Sequence, residues 1–353
     1  VFKASRIIGK RFKLVHIFSR SELIEVATFR AGEEKNNQGE LIKDQSGKII
    51  RDNIWGNLDQ DTYRRDFTVN ALYYCPISKK IIGHKDGIKD INQKKIVSIG
   101  DPQHRFSEDP VRSLRAIRFS NKLNFKIDKK IKDAIYKKGH LLSNISNARI
   151  FDEFCKIFLS GMAEKNFNKL NSFGLNKFLI TTEPNVNKFS HNVIFEALRN
   201  TDRRLKNNKS VTPGFLIAAL LWPNLINRSL TKGEINLRKF FRSMDPVLRN
   251  QQKITAIPRK FHSYIKDIWI LQLKLHSRIG KQPYKTLKHP RFRAAYDLML
   301  IREKCSCETK NLGKWWTDFQ KNDDKLKKSL ISSLKEKDMQ ESFKTFGFSK
   351  ELI

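Results

Sequence analysis

The hydrophobic pattern of this 353-residue chain changes near Asp101, and that change constrains the fold more than any other feature. Before Asp101, the apolar-rich segments Phe12–Ile17 and Leu23–Phe29 flank a short polar turn and predict two β-strands. Residues 31–52 are polar and contain glycines, which predicts a loop. After Asp101, apolar residues recur at helical spacing. The sequence therefore predicts an α+β protein, with a mixed α/β part before about residue 100 and a helical part after it.

Finer signals predict individual elements. A helix is predicted to start near Asp66 and a strand to cover Lys95–Ile99. The Lys-rich stretch Lys321–Lys337 predicts a solvated helix or a frayed tail. Residues that should form helical core are Ile150, Phe154, Ile157 and Phe158. Further helices are predicted at Ile127–Lys138, Arg149–Leu159, Pro213–Leu221, Ile265–Leu275 and Ala294–Lys304. We expect domain boundaries near residues 100 and 190.

The charge balance points to a polyanionic partner. Lys and Arg number 70 against 36 Asp and Glu, a net charge of +34. Solubility alone requires a net charge of only about 2–8 in a small domain. RNA or DNA is the natural candidate partner. Codon bias in an AT-rich genome, which enriches Lys, Asn, Ile and Phe, is the alternative explanation.

Several function classes lack their signatures. The four cysteines form no CxxC pair, which is typical of reduced thiols in a cytoplasmic protein. The longest apolar run, Phe215–Trp222, is too short to span a bilayer, so we expect no membrane partner. The sequence contains no GxxxxGK, GxGxxG, HExxH or GxSxG motif. Their absence argues against P-loop and dinucleotide enzymes, zincins and α/β-hydrolases.

The stretch 64–74, RRDFTVNALYY, suits a site for a nucleoside triphosphate. Arginines bind phosphate oxygens through paired N–H donors, which makes Arg64 and Arg65 candidate ligands. Asp66 would accept a hydrogen bond from a ribose hydroxyl or lie near a metal ion. In the alternative interpretation, Asp66 caps a helix and the arginines form surface ion pairs.

The stretch 107–119, SEDPVRSLRAIRF, predicts a helix with Asp109 as N-cap and Pro110 at its first position. Asp109 and Arg112 are three residues apart and share one helical face. An acceptor and a donor fixed in this way can read an adenine edge. Arg115 and Arg118 extend the same row towards phosphates. A capped basic helix without a ligand is the alternative, and spacing alone allows both.

Two other carboxylate positions stand out. Strand alternation places Glu25 on an otherwise apolar face, where a charge is costly without a partner or a metal ion. A Lys or Arg within the sheet is the competing explanation. Asp59-Gln60-Asp61 is the only Asp-x-Asp of the chain. It lies in a polar stretch, and we interpret its aspartates as solvated turn and helix-start residues.

Taken together, these segments resemble the bacterial class II nucleotidyltransferases, which comprise tRNA CCA-adding enzymes and poly(A) polymerases. Segments 7–16, 23–30 and 51–56 are similar to the poly(A) polymerase branch. Towards the other end, DIWILQL from Asp267, HPRFRAAYDL from His289 and KWW from Lys314 resemble the same branch. These C-terminal segments are not expected in CCA-adding enzymes, so the resemblance favours the poly(A) branch.

The resemblance implies an α+β protein with an incomplete nucleotidyltransferase-type mixed-sheet head at 1–100, followed by an all-helical neck, body and tail. The neck at 101–190 would recognise the nucleotide base, and 191–353 would form the RNA-binding body and C-terminal region.

The resemblance also implies a specific reaction. The 3′-hydroxyl of RNA attacks the α-phosphate of ATP, and pyrophosphate leaves with the help of two Mg²⁺ ions about 4 Å apart. By resemblance, Asp66 and Glu25 are catalytic, with Glu25 also a metal ligand. The implied nucleotide-binding residues, with Asp109 and Arg112 selecting the base, are Arg64, Arg65, Asn70, Asp109, Arg112 and Arg115.

The chain departs from the family at one point. The family has a Gly-rich strand-turn and an Asp-x-Asp pair before the part that matches Ile7, whereas the first aspartate here is Asp44. We expect the native protein to supply that pair upstream of Val1. The leading hypothesis is a cytoplasmic poly(A) polymerase acting in mRNA processing and decay. The alternatives are a tRNA CCA-adding enzyme and a non-catalytic RNA-binding remnant.

Overall fold

The computed structural model describes residue 2 and residues 4–9, 14–20, 22–31, 42–43, 49–51, 55–84, 86–182, 188–305 and 311–334. The chain forms two compact units, Val1–Lys138 and Gly139–Ile353. Strands are concentrated in the first unit and helices dominate the second, which confirms the predicted α+β class. The three-part division at residues 100 and 190 stays a prediction.

The first unit begins with a three-stranded antiparallel sheet of β1 (Ser5–Ile8), β2 (Leu14–Ser19) and β3 (Glu22–Val26), in that order. The register pairs Ser19 with Glu22, and Arg20 in the intervening turn has a φ of 53°. A left-handed residue is common in such tight hairpins. Both predicted strands are present, but the second ends at Val26 rather than Phe29. Phe12 and Lys13 lie outside the described residues, and β1 was not predicted.

The segment predicted as a loop contains a short antiparallel pair, β4 (Ile42–Lys43) and β5 (Ile49–Arg51). Most of 31–52 lies outside the described residues. Helix α1 (Leu58–Tyr63) then starts with a capping box: Asn57 Oδ1 accepts from Gln60 N at 2.9 Å, and Gln60 Oε1 accepts from Asn57 N at 3.0 Å.

The prediction of a helix starting near Asp66 is wrong. The chain instead makes a short 3₁₀ turn, and then strands β6 (Leu72–Cys75) and β7 (Lys80–Gly83) pair antiparallel. The reason lies in a distant segment: Phe67 forms an antiparallel bridge with Ser98, and Thr68 N donates to Val97 O at 3.0 Å. These bonds occupy the backbone that a helix would need.

The rest of the first unit is built from short elements around an apolar core. They are α2 (Gly87–Asn92), β8 (Lys95–Ile96), α3 (Pro102–Glu108), α4 (Val111–Leu123), β9 (Lys126–Ile127) and α5 (Lys129–Lys138). Strands β8 and β9 pair in parallel. Strand β8 ends at Ile96, so it is shorter than the strand predicted over Lys95–Ile99. The helix expected from Pro110 begins one residue later, but Asp109 Oδ1 still accepts from Val111 N at 3.2 Å.

The second unit is almost entirely helical. Its helices are α6 (Asn147–Phe158), α7 (Ala163–Ser172), α8 (Lys188–Lys206), α9 (Pro213–Leu220), α10 (Trp222–Ser229), α11 (Leu237–Gln252), α12 (Lys260–Lys274), α13 (Gln282–Leu287), α14 (Phe292–Cys305), α15 (Leu312–Lys321) and α16 (Asp324–Ser332). A small hairpin, β10 (Leu230–Thr231) with β11 (Glu234–Ile235), interrupts them. All five segments predicted as later helices are helical, within a few residues at each end.

Two hydrophobic clusters organise this unit. The predicted α6 core is confirmed, because Ile150, Phe154, Ile157 and Phe158 are at most 1% exposed. A second cluster joins α12, α14 and α15 through aromatic rings, and Trp316 at its centre donates Nε1–H to Leu275 O at 2.9 Å. Helix α16 has no fully buried residue, but its Leu330 and Ile331 pack, partly buried, against the second cluster; Lys335–Lys337 lie outside the described residues. In the described parts of the chain, no helix combines the length and apolar character that crossing a bilayer requires.

Candidate nucleotide site

Asp66 lies at the centre of a buried polar cluster in the first unit. It is 7% exposed. Its Oδ1 accepts hydrogen bonds from Phe67 N and Asn70 Nδ2, both at 3.0 Å, and its Oδ2 accepts from Arg115 Nε at 2.6 Å. The structure therefore brings together three of the predicted site residues, Asp66, Asn70 and Arg115. Arg115 is only partly buried, and its guanidinium also lies over the Phe119 ring at 5.2 Å.

Arg64 and Arg65 do not pair with Asp66 but with Asp61. Arg64 Nε and Nη2 donate to Asp61 Oδ1, the former at 2.9 Å. Arg65 Nε and Nη2 donate to Asp61 Oδ2 at 3.2 and 2.8 Å. The Tyr73 hydroxyl donates to the same oxygen. Asp61 is 2% exposed, so the expectation that it is a solvated helix-start residue is wrong. Asp59, its neighbour in the Asp-x-Asp, is exposed as expected.

The electrostatics of Asp61 follow from these contacts. Burial alone would raise the pKa of its carboxyl group. The hydrogen bonds from Tyr73, Arg65, Arg64 and Arg30 N outweigh burial and hold the pKa at about 2. Burial and the Asp61 hydrogen bond in turn raise the pKa of Tyr73, so its hydroxyl remains a donor at neutral pH.

Arg105 connects α3 to the end of α1. Its Nη2 donates to the carbonyl oxygens of Tyr63, Arg64 and Arg65 at 3.4, 3.0 and 2.9 Å. The last carbonyls of a helix lack intrahelical partners, and a cation near them is favourable. Arg105 thus fixes the backbone from which both candidate phosphate-binding arginines project.

Asp109 and Arg112 lie beside each other at the junction of α3 and α4. Arg112 Nη1 donates to Arg105 O at 2.9 Å and to Glu108 Oε2 at 3.2 Å. Burial, reinforced by the nearby Arg105, lowers the pKa of the Arg112 guanidinium, which still remains charged. The predicted acceptor and donor are thus held next to each other, by backbone and Glu108 contacts that sequence spacing did not reveal.

Glu25 differs from the other candidates. It projects from β3 with its side chain 61% exposed, and its Oε1 lies 3.2 Å from His16 Nε2 on the paired strand. The otherwise apolar face that carries Glu25 is exposed in the structure, with Leu23 48% and Phe29 42% accessible. The partner is therefore a histidine, rather than the Lys or Arg we considered.

The described carboxylates do not fit a magnesium site among themselves. Glu25 is engaged by His16, and Asp66 Oδ2 by Arg115. Throughout the described residues, no group of three or more His, Cys, Asp or Glu side chains is arranged to hold a metal ion. What the arrangement offers is a row of positioned arginines and hydrogen-bond acceptors suited to a nucleotide.

Sequence reasoning missed Asp61, Tyr73 and Arg105. Asp61 and its arginines share the i, i+3 and i, i+4 spacing of helical ion pairs, so a signal for their pairing was present. Tyr73 and the Arg30 backbone reach Asp61 from 12 and 31 residues away, and Arg105 reaches the Arg65 carbonyl from 40 residues away. No local pattern indicates contacts at such separations.

Comparison with known proteins decides the family. Three family models match the chain: the poly(A) polymerase head domain at 1–97, the probable RNA and SrmB-binding site of polymerase A at 124–189, and the arginine-rich C-terminus of polymerase A at 232–345. Poly(A) polymerase I of Haemophilus influenzae is 38% identical over 92% of this chain and 75% of its own length. The chain belongs to the poly(A) polymerase I family. Poly(A) polymerase I of Salmonella typhi is 34% identical over 95% of this chain, and again 75% of that protein is covered.

CCA-adding enzymes are more distant from this family member in sequence but share its fold. The CCA-adding enzyme of Lactobacillus johnsonii is 32% identical over 50% of the chain and 42% of that enzyme. The solved structure of the Bacillus stearothermophilus CCA-adding enzyme with CTP matches with a TM-score of 0.57 and 20% identity. The match covers 95% of this chain and 70% of that one. At that identity the likeness shows the nucleotidyltransferase fold alone.

Proposed function

We propose that this chain is a poly(A) polymerase that adds AMP from ATP to RNA 3′ ends, a polyadenylation step in mRNA processing and decay. The observation that carries the proposal is the 34–38% identity to Poly(A) polymerase I proteins over 92–95% of the chain. The CCA-adding enzymes of Lactobacillus johnsonii and Pediococcus pentosaceus match only half of the chain at comparable identity. A cytoplasmic setting suits the free cysteines Cys75, Cys155 and Cys305.

Arg64, Arg65 and Asp66 are proposed to bind the triphosphate and the ribose of ATP. Both arginine side chains are partly exposed, at 30% and 38%, so phosphate oxygens can reach them. A carboxylate has about four acceptor sites, and the contacts of Asp66 with Phe67 N, Asn70 and Arg115 use three. The remaining site would accept a ribose hydroxyl. Asn70 and Arg115 would hold the carboxylate in place while it does so.

Asp109 and Arg112 are proposed to select adenine. The adenine edge offers an amino donor next to a ring-nitrogen acceptor, and an aspartate beside an arginine complements that pair. Arg112 is 13% exposed, and its hydrogen bonds to Arg105 O and Glu108 limit its rotation. A fixed donor discriminates between bases better than a mobile one because fewer alternative pairings are within its reach.

A divalent metal such as Mg²⁺ belongs to the proposal as this enzyme class implies, and it would stabilise charge on the transferring phosphate. The described residues do not form its site, and Glu25 as a metal ligand stays a prediction. The contribution we derive for this chain is positioning: arginines on phosphate oxygens, Asp66 on the sugar, and the Asp109–Arg112 pair on the base. The net charge of +34 supports attraction of RNA.

The test uses native protein purified from its source cells, with an unstructured RNA primer and each of the four nucleoside triphosphates separately. We expect a long tract from ATP alone. Addition of CTP and ATP confined to tRNA would instead identify a CCA-adding enzyme. Salt-sensitive RNA binding without incorporation of any nucleotide would identify an RNA-binding remnant.

A further inference from the structure

We propose that Asp61 is a positioning residue that orients both arginines of the nucleotide site before ATP binds. The inference rests on the proposed function, because it assigns Arg64 and Arg65 to the triphosphate. It reverses the role suggested by the sequence, in which Asp61 is half of a solvated Asp-x-Asp. Asp61 does not touch the substrate itself; its effect passes through the two guanidinium groups.

The carboxylate divides its two oxygens between the two arginines. Oδ1 accepts from Arg64 Nε and Nη2, and Oδ2 accepts from Arg65 Nε and Nη2. Asp61 thus engages Nε and Nη2 of each guanidinium and leaves the Nη1 group of each outside its own contacts, where it can meet an anion. A guanidinium held through two nitrogens presents its third in a fixed direction, which reduces the ordering cost of binding phosphate.

Asp61 is itself fixed from the opposite side. The Arg30 backbone N–H donates to Oδ1 at 3.1 Å, and the Tyr73 hydroxyl donates to Oδ2. The Tyr73 ring packs edge-on against Phe29 with centroids 5.6 Å apart. The adjoining backbone is tight, because a Cβ on Gly56 would collide with Arg30 and Ala31. The carboxylate therefore has little freedom to rotate and transmits that rigidity to the arginines.

A purely structural role would give a different pattern of ligand binding. If Asp61 only stabilised the fold, its loss would weaken every interaction in the site alike. If it orients Arg64 and Arg65, its loss should weaken phosphate recognition and spare the sugar and base contacts of Asp66, Asp109 and Arg112. Comparing ATP, inorganic triphosphate and adenosine as ligands separates these two cases.

The experiment compares Asp61→Asn with Asp59→Asn, the same change at an exposed position on the same helix. Equilibrium binding is measured for each ligand, with thermal unfolding as a check on folding. For Asp61→Asn we expect binding of ATP and inorganic triphosphate to weaken about tenfold, and adenosine binding to change less than about twofold. Asp59→Asn should leave all three unchanged. Equal weakening for adenosine and ATP, or no weakening, would overturn the proposal.

A double-mutant cycle tests the route of the effect. In an Arg64→Gln, Arg65→Gln background, Asp61→Asn should cause no further loss of triphosphate binding, because the groups it orients are gone. A further loss of triphosphate binding by about tenfold, as large as in the unmodified background, would show that Asp61 acts by another route. If Asp61→Asn does not fold, Tyr73→Phe removes one anchor of Oδ2, and we expect about threefold weaker triphosphate binding. Unchanged binding in that variant would contradict the proposal.

Failure of this inference and failure of the proposed function give different results. Adenylation of RNA by the unmodified native protein tests the function alone. Triphosphate binding by the Asp61 and Asp59 variants tests the inference alone. A protein that binds triphosphate through Asp61-oriented arginines but never extends RNA would retain the inference and lose the function.

Discussion

The Asp61 cluster of the first unit and the aromatic cluster of the second are both buried but are built from opposite chemistry. Asp61 is 2% exposed and Trp316 is fully buried. Around Asp61 the partners are two guanidinium groups, a hydroxyl and a backbone N–H. Around Trp316 they are the rings of Phe292, Trp315 and Phe319. The Asp61 cluster fixes the orientation of charged side chains, whereas the Trp316 cluster fills the interior with packed rings.

This difference shows that burial has a different consequence in each cluster. Removing apolar surface from water stabilises in proportion to its area and does not require one geometry. Burying a charge costs desolvation that its partners offset only when the hydrogen bonds are well formed. A buried carboxylate with two arginines is therefore a weak source of stability and a strong constraint on geometry. The comparison predicts that the aromatic cluster dominates stability and the Asp61 cluster dominates ligand binding.

The largest stability effect should come from Trp316→Ala. Loss of the indole leaves a cavity and an unpaired Leu275 carbonyl, so we expect a loss of about 3–5 kcal/mol in the free energy of unfolding. Urea denaturation followed by circular dichroism measures it, with Trp316→Phe as the milder control. Triphosphate binding by the molecules that remain folded should be unchanged. Weakened binding in that folded fraction would break the comparison.

The second effect is acid sensitivity of the Asp61 cluster. The pKa of Asp61 is lowered from 3.8 to about 2. Its contribution to the free energy of unfolding is therefore fully present above the pKa of the unfolded state and is lost as the pH falls through the pKa of the folded state. Between about pH 5 and 2 this loss amounts to about 2 kcal/mol, at about 1.4 kcal/mol per pKa unit. Urea denaturation across this range measures it. Asp61→Asn should have a shallower slope than the unmodified chain, whereas Asp59→Asn should keep the original slope.

Sequence patterns correctly predicted the features that neighbouring residues in the chain determine. The five later helices and the α6 core followed from apolar spacing, and Asp109 does bond the first turn of α4. These successes share one property: the residues that decide each feature are close to one another in the chain. The nucleotide motifs came from the family resemblance and their role stays a prediction; Asp66 pairs with Arg115, 49 residues away.

The failures share the opposite property. The helix expected from Asp66 is replaced by a 3₁₀ turn and strand β6 because Phe67 and Thr68 bond to Ser98 and Val97, far along the chain. Asp61 was interpreted as solvated because its distant partners, the Arg30 backbone and Tyr73, lie outside its own helix. The alternation around Glu25 identified one face of the sheet, but alternation does not indicate whether that face is covered.

A smaller effect tests whether polar burial in the second unit serves stability. Asp202 accepts from Ala163 N at 2.6 Å and from Glu164 N at 3.1 Å, which caps the start of α7 from another helix. Asp202→Ala should cost about 0.5–2 kcal/mol, as for the loss of an N-cap, and should leave triphosphate binding unchanged. Thermal unfolding measures the cost. Asp202→Asn, which keeps one acceptor oxygen, should recover part of the loss.

The smallest effect concerns two lysines that face one another. Lys95 on β8 pairs in register with Lys126 on β9, and both are exposed. Like charges on paired strands repel, so Lys126→Glu should raise the free energy of unfolding by about 0.2–1 kcal/mol, which urea denaturation measures. If Lys126 neutralises an RNA phosphate, the same change should also reduce the salt dependence of RNA binding, by about 0.7 in the log–log slope for that phosphate.

The control for this lysine is Lys328→Glu at an exposed position on α16, which makes the same change in net charge. RNA binding is measured across a range of salt concentrations for both variants. An equal reduction of the slope would mean that the net charge attracts RNA without a defined site on β9. A reduction confined to Lys126→Glu would show that this charge in the first unit serves RNA binding at the expense of stability.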